Sequence, residues 1–134
     1  MNKKYKIISA IYSLMLLFSI LFTLVMIGAS GHGLRLSYQN YFFGIFVLCH
    51  IALLIILPRI PKKMKRLNIV CGILSLLFLL ICVSFSIVYM FKILSENLII
   101  EFKVISSLFI STLVALIVYL FIQVLYETKR NLFS

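Results

Sequence analysis

Long uncharged apolar runs alternate with short polar and basic segments along this chain. Four runs stand out: Ile7 to about Ile27, Tyr41 to Leu57 with Leu36 as an earlier alternative start, Leu67 to Phe91, and Val104 to Tyr126. Each is close to the ~20 residues an α-helix needs to cross ~30 Å of hydrocarbon. They are too evenly apolar for the one-sided stripe of a soluble surface helix. In lipid every backbone group must be paired within its own segment, so the runs predict helices. With their flanks these cover about 7–28, 38–57, 67–92 and 104–127.

The connections are short. Ser30 to Asn40 contains Gly31, Gly33 and several turn-forming polar residues, and predicts an irregular loop. Pro58 and Pro61 end the second helix, because proline lacks a donor and restricts the residue before it. From Lys92 to Lys103 the segment is mixed: Ile93, Leu94, Leu98, Ile99, Ile100 and Phe102 suit either an interfacial dip or continuation of the third helix. Short connections join antiparallel neighbours, so the expected fold is all-α, a single up-down-up-down four-helix bundle over 1–134. The first run is longer than the usual h-region of a signal peptide and lacks an A-x-A site, which favours a retained helix.

Charge orients the bundle. With the N-terminus cytoplasmic, the inside carries Lys3, Lys4, Lys6, Arg59, Lys62, Lys63, Lys65, Arg66, Lys129 and Arg130, and the outside only Arg35, Lys92 and Lys103. Ten against three predicts both termini inside. Tyr5 and Tyr126 would lie at the inner interface and Tyr38, Tyr41 and Tyr89 at the outer one, where amphipathic rings prefer to sit.

Composition strengthens the membrane reading. Hydrophobic residues make up 64% of the 134 and charged residues 12%, too few polar groups to cover a water-soluble surface. The net charge of +10 sits in clusters between apolar runs, with no basic face bearing interleaved aromatics. That argues against nucleic acid and for anionic lipid headgroups, with the run Arg59, Lys62, Lys63, Lys65 and Arg66 at the cytoplasmic juxtamembrane position. Abundant Ile, Leu, Phe, Lys and Ser points to an AT-rich bacterial genome, and so to a bacterial plasma membrane.

Candidate chemistry is sparse. The chain has no Asp, and Glu96, Glu101 and Glu127 all fall outside or at the edge of the apolar runs, so paired carboxylates within the membrane are lacking. Cys49, Cys71 and Cys82 form no C-x-x-C spacing and give no zinc signature. No cofactor or metal is indicated. Deep in the second run, His50 is the weak exception. Intramembrane ionisable groups are functional candidates by default, although a structural hydrogen bond from a neighbouring Ser or Thr explains one histidine more simply than a haem or metal site. His32, between Gly31 and Gly33, reads as a solvated loop residue at a different depth.

Small residues recur at helical spacing: Cys71, Ser75, Cys82 and Ser86 in the third run, Ser107, Ser111 and Ala115 in the fourth, and Tyr12, Ser19 and Thr23 in the first. Such stripes let helices approach closely and hydroxyls bond across the contact. Packing inside the bundle accounts for them; a bundle this small also leaves some for an oligomer or another membrane protein.

Length and helix number resemble those of the small multidrug resistance transporters. Those depend on a glutamate within the first helix, and the first run here has none. By size and charge alone the chain is similar to bacteriocin immunity proteins, holins and accessory subunits of transporters or sensor kinases. The expected function is therefore a non-enzymatic accessory, regulatory or immunity-type component acting through helix-helix contacts. A homo-oligomeric transporter or pore, and a haem or redox subunit, are the alternatives.

Overall fold

The computed structural model describes residues 3–29 and 38–133; His32 and Arg35, and the alternative helix start at Leu36, lie outside them. Four helices account for nearly all of it: α1 (Lys3–Ala29), α2 (Tyr38–Ile56), α3 (Lys65–Ser95) and α4 (Ile100–Phe133), with one 3₁₀ turn, Leu57–Arg59, after α2. All four are long and apolar enough to cross a membrane, and no strand occurs among the described residues.

The apolar runs form helices because nothing interrupts them. Proline, the strongest breaker, occurs only at Pro58 and Pro61, and there α2 tightens into the 3₁₀ turn and stops. Ile60 is extended, and the Met64 N–H donates to the Pro61 carbonyl in the turn that leads into α3.

The observed helices outrun the predicted ones at both ends of the second hairpin. Lys92 and Lys103 bound the apolar runs but are helical themselves, since their long stems extend along a helix while the ammonium reaches water. The break is confined to Glu96–Ile99 and starts where Glu96 turns extended (φ −81°, ψ 152°). Across this turn the Lys103 Nζ donates to the Leu94 carbonyl at 3.5 Å. At the far end α4 continues past Tyr126 to Phe133, and Arg130 pairs with Glu127 one turn back. At 31 and 34 residues, α3 and α4 are each longer than a hydrocarbon layer is thick.

Each helix packs on its neighbours in sequence, and α1 closes the ring against α4; the α3–α4 pair has the most extensive contact. The core holds Tyr5, Tyr12 and Leu16 of α1, Val47, Ile51 and Leu54 of α2, Leu79 of α3, and Leu113, Ile117, Leu120 and Val124 of α4. Outside it the surface is apolar all round. Leu14, Phe18, Leu21 and Val25 of α1 are each at least 60% exposed, and every other helix shows comparable side chains. Soluble monomers rarely present contiguous apolar surface on this scale; lipid is the solvent it fits.

Pairwise contacts set the alignment. The Tyr5 hydroxyl near the start of α1 donates to the Leu54 carbonyl near the end of α2 at 2.9 Å. Gly72 near the start of α3 lies against Thr128 near the end of α4, so closely that a Cβ there would collide with the Thr128 side chain. Phe18 meets Phe109 between α1 and α4, with ring centroids 6.1 Å apart.

Candidate functional site

Among the described residues, a polar cluster inside the bundle draws on three helices. His50 of α2 and Tyr12 of α1 are both fully buried, and Tyr12 Oη lies 2.9 Å from His50 Nε2. The Cys82 thiol of α3 is near enough to the Tyr12 hydroxyl to influence it electrostatically. His50 Nδ1 has no hydrogen-bond partner among the described residues.

This arrangement selects a tautomer. An unpaired lone pair in apolar surroundings costs less than an unpaired N–H. The proton therefore belongs on Nε2, where Nε2–H donates to Tyr12 Oη, and Nδ1 is left as a bare acceptor. The imidazole is neutral, since a charged ring here would have no counter-ion.

Aromatic rings enclose the cluster. Phe78 of α3 meets the imidazole edge-on, with centroids 5.9 Å apart, and Phe46, one turn away on α2, lies near-parallel at 6.4 Å. Phe46 and Phe78 also pack against each other at 4.9 Å in a T-shaped pair. A haem iron could reach Nε2 only by displacing Tyr12, and the bare Nδ1 is the ring's remaining ligating atom. No group of three or more His, Cys, Asp or Glu residues able to hold a metal occurs among the described residues. The arrangement can hold three helices in register; it offers no nucleophile–base pair oriented by a third group.

The expected Ser or Thr partner for His50 is replaced by a tyrosine. Ser75, the buried hydroxyl of the third-helix stripe, has no hydrogen-bond partner among the described residues. The stripe Cys71, Ser75, Cys82 and Ser86 does face inward, with Ser75 buried and the others half-buried. Its hydroxyls, however, do not bond across the contact: Ser86 Oγ donates to the Cys82 carbonyl of its own helix at 2.8 Å. In α1, Ser19 and Thr23 likewise donate to the carbonyls four residues back.

The α4 stripe turns the other way. Ser107 is half-buried, while Ser111 and Ala115 are exposed. The inward face of α4 is made instead by Ile110, Leu113, Ile117, Leu120, Val124 and Thr128. Packing within the bundle thus does not account for Ser111 and Ala115.

A further groove opens between α1 and α2, lined by Ile20, Thr23, Asn40, Tyr41 and Gly44 among others. The basic residues Arg59, Lys62, Lys63, Lys65 and Arg66 are all exposed on the connection between α2 and α3 and the first turn of α3. Sequence pattern marked His50 but missed Tyr12 as its partner. The signal available was the pair of phenols Tyr5 and Tyr12, seven residues apart and so on one face of α1. Neither a protein-family model, nor a curated protein, nor a solved structure matches this chain.

Proposed function

We propose that this chain is a multi-pass protein of a bacterial plasma membrane, an up-down-up-down bundle with both termini cytoplasmic. In this reading it is an accessory, regulatory or immunity-type component that acts through helix-helix contacts and turns over no substrate. The antiparallel reading is supported by the contacts of Tyr5 with Leu54 and of Gly72 with Thr128, each joining the start of one helix to the end of the next. The orientation is supported by the Lys/Arg asymmetry.

The observation that carries the functional reading is the outward α4 face. Exposed Ser111 and Ala115 break the cover of large side chains and let a second helix approach closely. Two interior phenols, by contrast, are engaged within the bundle: Tyr12 with His50, and Tyr5 with the Leu54 carbonyl. The partner is another membrane-spanning helix, contributed by a different protein or a second copy.

The test is crosslinking from Ser111→Cys in native membranes, in a background with Cys49, Cys71 and Cys82 replaced, followed by mass spectrometry of what is captured. A defined crosslinked species is expected, and Ala115→Leu should weaken it severalfold. A protein that is monomeric in mild detergent and captures nothing from Ser111→Cys overturns the reading.

A further inference from the structure

Ten of the thirteen Lys and Arg residues gather at one end of the bundle from three stretches far apart in sequence. Lys3, Lys4 and Lys6 begin α1; Arg59, Lys62, Lys63, Lys65 and Arg66 connect α2 to α3; Lys129 and Arg130 lie in the last turns of α4. The Tyr5 to Leu54 hydrogen bond holds the first stretch beside the second, and the approach of Gly72 to Thr128 holds the second beside the third. All ten are exposed. The only acid at this end is Glu127, itself 3.4 Å from Arg130. At the opposite end, among the described residues, Lys92 and Lys103 are matched in number by Glu96 and Glu101.

Specifying orientation needs only a charge difference between loops. The helix alignment brings the three stretches to one surface, and orientation does not need the acids there to fall to one. The charged surface is also bordered in a particular way. Beside Lys3, Lys4 and Lys6 stand the exposed Ile7 and Ile11; beside Lys65 and Arg66 stand Leu67 and Val70; beside Lys129 and Arg130 stand Leu125 and Tyr126. Cations followed within one or two helical turns by exposed apolar side chains match an amphiphile, phosphate first and acyl chain after. A nucleic acid or an acidic soluble protein would have no use for the apolar half.

We infer that this end of the bundle is a multidentate site for anionic phospholipids, which it selects over zwitterionic ones through their headgroup phosphates and acyl chains. The inference rests on the membrane-spanning reading above. Each Lys or Arg near an anionic lipid surface contributes a factor of about five in binding. Loss of two or three of them should therefore be readily measured.

The full chain is purified in a neutral mild detergent and exposed to equal amounts of phosphatidylglycerol and phosphatidylcholine, and retained lipid is counted by native mass spectrometry. Wild-type protein should retain phosphatidylglycerol in preference to phosphatidylcholine by roughly tenfold or more, and the preference should shrink as salt is raised. Lys62→Gln/Lys63→Gln/Arg66→Gln should reduce it by about tenfold or more, and Lys129→Gln/Arg130→Gln, which disturbs no loop between helices, by a comparable factor. Lys92→Gln/Lys103→Gln at the other end should leave it unchanged. Equal retention of the two lipids, or wild-type preference in both basic-end variants, overturns the inference. So does an RNA oligonucleotide that outcompetes phosphatidylglycerol. Resistance to carbonate extraction is scored separately: an extractable protein sinks the membrane reading, whereas a resistant one with no lipid preference sinks only this site.

Discussion

Replacing Gly72 with alanine probes the tightest helix contact in the bundle. The new methyl would overlap Thr128 Oγ1 and would also lie 3.3 Å from both Cβ and Cγ2 of Thr128. Rotating the threonine relieves the first clash only by bringing another substituent toward the methyl, because its Cβ does not move with χ1. Holding a β-branched side chain ~30° off its rotamer costs on the order of 0.5–1.5 kcal/mol. Overpacking of a closed contact typically costs about 1–3 kcal/mol. The gain in helix propensity from glycine to alanine, about 1 kcal/mol in water, counts for little where the unfolded segment is already helical in lipid or detergent. Gly72→Ala should therefore destabilise the protein by about 1–3 kcal/mol. Thr128→Ala removes Oγ1 and Cγ2 but keeps Cβ, so in the double variant only the 3.3 Å contact with Cβ remains. The double variant should recover most of the loss, giving a coupling of about 1–2 kcal/mol. Unfolding by SDS titration in mixed micelles, followed by near-ultraviolet tyrosine dichroism, measures all four species. Gly72→Ala as stable as wild type, or a Thr128→Ala background that gives no relief, would refute the close approach of α3 to α4.

Tyr12→Phe strands the Nε2–H of His50 in an apolar site and should cost about 1–3 kcal/mol, whereas Tyr12→Phe combined with His50→Leu should cost less than Tyr12→Phe alone. The same unfolding assay reads both, and strict additivity would show that the 2.9 Å contact carries no energy. Ser75→Ala deletes a buried hydroxyl that has no partner among the described residues, so its stability should change by less than about 0.5 kcal/mol or rise. In membranes, a lipid-soluble maleimide should label exposed Cys49 at least severalfold faster than half-buried Cys82, and equal rates in single-cysteine variants would contradict the packing of α3.

Existence and type of all four helices were legible in the sequence, because ~20 uncharged apolar residues admit few alternatives in a membrane. Their ends were less so. Lys92 and Lys103 mark where hydropathy falls, but backbone hydrogen bonding continues past a charged side chain that can reach water, so the helices stop only at Glu96–Ile99. Which face of a helix meets its neighbours was the least legible. A soluble helix announces its buried side by contrast with a polar one; Ser111 and Leu113 of α4 both sit among apolar residues, and nothing in the pattern says that Leu113 is buried and Ser111 exposed. His50 stood out as a lone imidazole in an apolar run. Its phenol partner is 38 residues away on another helix, where the sequence pattern set Tyr12 in a stripe with Ser19 and Thr23.

The two phenols of α1 have one more effect. Leucine and isoleucine contacts change little when one helix slides past another by a turn, so an apolar bundle tolerates several near-equivalent alignments. Tyr5 and Tyr12 remove that tolerance between α1 and α2: a one-turn slide would detach one hydroxyl from the Leu54 carbonyl and the other from the imidazole together. Tyr12 and the imidazole would then be parted in hydrocarbon, with no water to replace what they lost. Two hydroxyls and a histidine thus act as a ratchet stop, turning a slippery pair of helices into one with a single resting position.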